Sequence, residues 1–147
     1  MNQVSNLLRI KGNDVFTVEP DMSVVDALEL MAEKKIGAVI VLEDQSIVGI
    51  FSERDFARKV AQNKHLGLDV PVRELMTPGV FFISPELTDD ECMAIMTKQR
   101  IRHLPVLKNG QLIGLISIGD VVKSLIEDKD LLIYNMEKFI LGLGYGE

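Results

Sequence analysis

Two seven-residue stretches carry side chains that could do chemistry together. Gly49-Ile-Phe-Ser52-Glu-Arg-Asp55 recurs as Gly114-Leu-Ile-Ser117-Ile-Gly-Asp120, an offset of 65 residues. In each, a carboxylate follows a hydroxyl by three positions, behind a glycine and an apolar pair. At the start of a helix such a carboxylate can accept from two neighbouring sugar hydroxyls. The serine can donate to a phosphate, which the unpaired N–H groups and dipole of the helix also attract. The apolar pair, Ile50-Phe51 or Leu115-Ile116, offers a wall for a flat ring. The same Ser-x-x-Asp spacing also fits a helix capping box, with Asp in place of the usual Glu or Gln, and that role needs no ligand. One copy alone reads as a cap. Two copies in register favour a ligand, and the two roles can coexist on the same atoms.

The elements that must position these residues repeat as well. Without a gap, Val15 to Val60 aligns on Val80 to Leu125, with identities that include Phe16/Phe81, Pro20/Pro85, Met31/Met96, Ile36/Ile101 and Val41/Val106. Each copy begins with a short extended run, VFTVEPDMS or VFFISPELT. Ser23 and Thr88 then open capping boxes, predicting helices over 24–34 and 89–99 that bury Ala27, Leu28 and Met31, or Cys92, Ile95 and Met96. A hairpin follows, turning at EDQ in one copy and at Lys-Asn109-Gly110 in the other. Second helices are expected over 53–61 and 118–127. The order β-α-β-β-α, twice, is an α+β architecture, and two copies suggest two similar units packed about a pseudo-twofold axis rather than a solenoid. The division is an N-terminal segment 1–13, a first unit 14–62, a linker 63–76, a second unit 77–128 and a C-terminal helix and tail 129–147. In the tail, Leu132, Met136, Phe139 and Leu143 keep helical spacing until Gly142, Gly144 and Gly146 break it.

Composition narrows the classes of function. The chain has 147 residues, of which 47% are hydrophobic, enough for a real core. Its net charge of −6 and the absence of a basic stripe argue against nucleic acid as a partner. No stretch is apolar for long enough to span a membrane, and the first twelve residues lack the pattern of a signal peptide. The single cysteine, Cys92, has no partner for an internal disulfide. A cytoplasmic setting is expected.

Two G-x-x-S-x-x-D motifs, each closing a β-α-β-β-α unit, with ELMTP at 74–78 and LPV at 104–106 between them, resemble a tandem pair of CBS (cystathionine beta-synthase) domains, the Bateman module. The resemblance runs from about Asp14 to Glu127, as a stand-alone pair. It implies an adenosine nucleotide, AMP, ADP, ATP or NAD(H), bound between the units, a homodimer, and a regulatory role as an energy or redox sensor acting through ligand-dependent shape change and signal transduction to an unidentified protein partner. It further implies a first site of Val15, Phe16, Ile36, Ser52, Asp55 and Thr77, with Arg102 and His103 from the opposite unit reaching the phosphates. The second site, by symmetry, has Val80, Phe81, Ile101, Ser117, Asp120 and Lys11, with Gly37 and Ala38 where the first has Arg102 and His103. Lacking that basic pair, the second site is expected to hold phosphate more weakly, or to prefer adenosine or the less charged end of a dinucleotide.

Other residues carry less. His103 would be a pH-sensitive phosphate ligand, its charged form favoured by the anion. Its alternative is a partly exposed histidine at a strand start. His65 has no Cys or His neighbour with which to bind a metal. Cys92 stands on an apolar helical face and reads as core. No nucleophile–base pair, metal cluster or Walker-type loop is legible, so no catalytic residue is assigned and the chain reads as a non-enzyme. The competing reading is a structural adaptor without nucleotide.

Overall fold

The computed structural model describes residues 1–12 and 14–141, with side chains through Lys138. Leu143, Gly142, Gly144 and Gly146 of the tail, and the Phe139 side chain, lie outside the described residues. In chain order the elements are α1 (Val4–Lys11), β1 (Thr17–Val18), α2 (Val24–Lys34), β2 (Ala38–Glu43), β3 (Ser46–Ser52), α3 (Glu53–Gln62), α4 (Asp89–Gln99), β4 (His103–Lys108), β5 (Gln111–Ser117) and α5 (Ile118–Leu141), with a single 3₁₀ turn at Val72–Glu74. The chain forms two compact units. One spans Asp14–Phe81; the other joins Met1–Asn13 to Phe82–Glu147. These are the first and the second unit.

In the first unit β1 lies parallel to β2, and β2 pairs antiparallel with β3. Ala38 faces Ser52, Val41 faces Gly49, and a bulge follows Val41. The second unit repeats this register residue for residue: His103 faces Ser117, Val106 faces Gly114, a bulge follows Val106, and Ile83 pairs in parallel with Val106 as Val18 pairs with Val41. The helices begin where their caps dictate. Ser23 Oγ accepts the Asp26 N–H, and Thr88 with Glu91 closes a capping box. Each unit has its own core, Val24, Met31, Val39, Val41 and Phe51 in the first, Cys92, Met96, Leu104, Val106 and Ile116 in the second.

Each unit is completed by a segment that the repeat does not contain. Residues 70–76 lie on the first unit: the Val24 N–H bonds Val70 O at 2.8 Å, the Val72 N–H bonds Met22 O at 2.8 Å, and the Arg73 N–H bonds Pro20 O at 3.0 Å. Residues 2–8 make the same bonds in the second unit, from Asp89 N–H to Asn2 O at 2.8 Å, Val4 N–H to Leu87 O at 2.7 Å, and Ser5 N–H to Pro85 O at 2.9 Å. The N-terminal segment, to which the repeat assigns no element, thus forms α1, whose Val4, Leu7 and Leu8 are buried in the second core. Their i, i+3, i+4 spacing is the helical signal.

The glycine of each motif admits these segments. A Cβ at Gly49 would stand 2.6 Å from Met76 Sδ, and one at Gly114 would collide with the Leu8 isobutyl group. Only a bare Cα leaves that room. The last helix also departs from expectation. With no Gly or Pro between Gly119 and Gly142, α5 runs unbroken past Glu127 to Leu141.

Candidate functional site

The motif serine and aspartate sit where a strand ends and a helix begins, in both units. Ser52 closes β3 and caps α3. Asp55 Oδ2 accepts the Ser52 N–H at 2.9 Å and the Ser52 hydroxyl at 2.9 Å, while Ser52 Oγ accepts the Asp55 N–H at 3.1 Å. The capping box is therefore complete without a ligand. The other carboxylate oxygen, Oδ1, accepts the Thr77 hydroxyl at 3.0 Å. Thr77 is held there by its own backbone, which exchanges bonds with Ile50: the Thr77 N–H donates to Ile50 O at 2.8 Å, and the Ile50 N–H donates to Thr77 O at 3.0 Å. The Glu53 N–H, one of the donors at the helix start, is taken by Gly37 O at 3.1 Å, and Ala38 pairs with Ser52 across the strands.

The second unit builds the same corner with one change of chemistry. Asp120 Oδ2 accepts the Ser117 N–H at 2.9 Å, and Ser117 Oγ accepts the Asp120 N–H at 3.2 Å. Where the first corner has Thr77, this one has Lys11, at the last turn of α1. Its ammonium donates to Asp120 Oδ2 at 2.7 Å and to Leu115 O at 2.7 Å. Leu115 is the repeat partner of Ile50, so one lysine side chain serves the carbonyl that Thr77 serves with its N–H, and the carboxylate that Thr77 serves with its hydroxyl, though on the capping oxygen Oδ2 rather than on Oδ1. Burial alone would push the Asp120 carboxyl up; bonds from Lys11 and the Ser117 N–H, together with the lysine charge, hold it below its ordinary value.

The residues assigned from sequence divide between the units. Val15, Phe16, Ile36, Gly37, Ala38, Ser52, Asp55, Thr77, Val80 and Phe81 belong to the first; Lys11, Ile101, Arg102, His103, Ser117 and Asp120 belong to the second. Val15 is half-buried, Phe16 and Ile36 are half-buried against the first core, and Phe81 is exposed. His103 pairs with Ser117 across the strands, and Arg102 O accepts the Ile118 N–H at 2.8 Å, so both stand at the start of α5. The Arg102 side chain lines an open cavity of about 630 Å³ with Gly119, Val122 and Lys123. A smaller cavity of about 210 Å³ is lined by Lys11, Asp120, Lys123, Ser124 and Glu127 together with Asn2, Leu7 and Ile10. Lys123 was not anticipated; its sequence signal is its place three residues after Asp120, nearly one turn along the same helix.

A repeated strand–helix corner with a capped aspartate, in two α+β units of identical register, defines a tandem module. The CBS domain model matches residues 8–62 and 72–127. The chain belongs to the CBS-domain family. Among curated relatives, the mitochondrial CBS domain-containing protein CBSX3 of Arabidopsis thaliana is 31% identical over 151 residues, covering 97% of this chain and 73% of that protein. The crystal structure of the CBS-domain containing protein ATU1752 from Agrobacterium tumefaciens is 45% identical, with a TM-score of 0.80 over 84% of this chain and 98% of that one. CBSX2 in complex with AMP shares the fold at a TM-score of 0.72 and 24% identity, over 88% of this chain and 99% of that one.

Proposed function

We propose that this chain is a regulatory module that binds an adenosine nucleotide, AMP, ADP, ATP or NAD(H), and reports cellular energy or redox state to a protein partner. One observation carries the reading: the Ser-x-x-Asp corner is built twice at one register, each time with a carboxylate held by a cap at a helix N-terminus. Such a carboxylate suits the two hydroxyls of a ribose, and the helix start beside it suits phosphate. The AMP held by CBSX2 supports the choice of an adenosine ligand, on the ground of fold alone. Arg102 and His103 are proposed as phosphate ligands, with Thr77 on the same path. The regulatory effect requires a ligand that binds one conformation better than another. We place the module in the cytoplasm as a homodimer, for which the exposed Leu131, Leu132, Ile133, Tyr134 and Met136 of α5 supply apolar surface.

The test begins by denaturing freshly purified protein and identifying released small molecules by mass spectrometry. Calorimetric titration with AMP, ATP, NAD, NADH and S-adenosylmethionine follows. A released or binding adenosine compound sustains the reading, and Asp55→Ala then weakens binding by about 1–3 kcal/mol, the penalty for leaving buried polar groups unpaired. Silence across the panel overturns it. A second reading, a structural adaptor without nucleotide, has its own observation: both oxygens of Asp55 already accept from Ser52 and Thr77.

A further inference from the structure

We infer that Lys11 is a displaceable plug on Asp120, and that it makes the corner of the second unit select ligands by their phosphate. The inference rests on the nucleotide-binding reading above and concerns which adenosine compounds this corner admits. In the first unit the group on the aspartate is a neutral hydroxyl, fixed by a backbone that exchanges two bonds with Ile50. In the second unit it is an ammonium at the end of a flexible stem, bound to Asp120 and to Leu115 O at 2.7 Å each. Thr77 is locked in place, whereas Lys11 can swing on its side-chain torsions while α1 stays still.

Lys11 and the Ser117 N–H share Asp120 Oδ2, so a ribose that takes both carboxylate oxygens with its two hydroxyls displaces the ammonium from Oδ2. A nucleoside brings no anion to receive it, so the lysine loses a charge-assisted partner. A nucleotide brings an anion, and the lysine exchanges a carboxylate for a phosphate. The cavity of about 210 Å³ that Lys11 lines is also lined by Lys123, so two lysines border that space together with Asp120 and Glu127. On this proposal Lys11 supplies the cation and penalises the nucleoside, opposite to the expectation, drawn from the missing basic pair, that the second corner holds phosphate more weakly or prefers adenosine or a dinucleotide's less charged end.

The experiment titrates AMP and adenosine by calorimetry into the full chain carrying Asp55→Asn, which weakens the first corner, and into the same chain with Lys11→Met or Lys11→Arg. Lys11→Met keeps the apolar stem and removes the charge. The expected result is that Lys11→Met tightens adenosine, weakens AMP, and lowers the ratio of their affinities by about tenfold, the scale of one hydrogen bond to a charged group. Lys11→Arg is expected to restore the preference. Equal weakening of both compounds, or no change in either, overturns the plug while leaving the nucleotide reading intact. Failure of both compounds to bind any of these chains, and of the whole panel to bind the unmodified protein, sinks the nucleotide reading and the plug with it. Should Lys11→Met prove unstable, Lys11→Gln provides the same comparison.

Discussion

Asp55 and Asp120 each serve a helix cap and offer a carboxylate at the same corner, so their variants separate stability from binding. Asp55→Ala removes one half of the capping box of α3 but leaves Ser52 as N-cap. The chain is expected to stay folded, losing about 0.5–1 kcal/mol in denaturant unfolding, because the serine still serves an N–H at the helix start. Asp120 has a different pH signature. Its carboxyl is held below the ordinary value of 3.8, so the ion pair with Lys11 contributes stability that is present above that value and is lost as pH falls below it. The melting temperature of the unmodified protein is therefore expected to exceed that of Lys11→Met at neutral pH, the gap closing as pH falls below about 3.8. A gap independent of pH would refute the assignment. Cys92 is buried, and burial together with nearby Asp89 and Glu91 pushes its thiol to about 11. At pH 8 a thiol reagent is expected to leave the native protein unlabelled and to label it once denatured.

At the scale of elements, the two hairpins differ at their tips. Asn109-Gly110 turns with both residues at positive φ, 52° and 77°, the combination this tight turn requires. Asp44-Gln45 adopts the same conformation, at 51° and 67°, without a glycine. Gln45→Gly is expected to stabilise the first unit by about 1 kcal/mol, read as a higher denaturant midpoint at unchanged slope, since glycine, having no Cβ, adopts that φ without the crowding a glutamine side chain meets. The motif glycines behave oppositely. Gly114→Ala would force the Leu8 side chain out of its seat on β5, at about 1–3 kcal/mol as in other overpacked cores. Leu8→Ala made with it is expected to recover part of that loss, a coupling that a double-mutant cycle measures.

Across the whole molecule, the segment that completes each unit lies outside that unit's own repeat. Residues 70–76 follow the first unit's helices, but residues 2–8 are separated from the rest of the second unit by the entire first unit. A polar cluster ties that remote segment down: the buried Asp89 accepts from Ser124 Oγ at 2.7 Å, and Asn2 Nδ2 donates to the same Ser124 oxygen at 3.1 Å. Removing residues 2–11 takes Val4, Leu7 and Leu8 from the second core, roughly 1.5–3 kcal/mol of burial for each. Amide exchange is then expected to accelerate in residues 82–127 while residues 14–76 keep their protection. Equal loss of protection in both would contradict the division.

The internal repeat, the four helix starts, the hairpins, and the pairing of Ser52 with Asp55 and Ser117 with Asp120 are legible in the chain alone, because caps, turns and alternation act over a few residues and leave local signatures. The repeat also made the family readable. The sequence left α1 without an element, split α5 into a helix ending at Glu127 and a separate C-terminal helix, and could name Lys11 only by symmetry. Those features depend on partners far along the chain: α1 is stabilised by a core built from residues beyond 82, and Lys11 meets Asp120 across 109 positions. Which group sits on each aspartate, the Thr77 hydroxyl or the Lys11 ammonium, was therefore decided only by the tertiary structure, since local propensity carries no record of what the chain brings back from a distance.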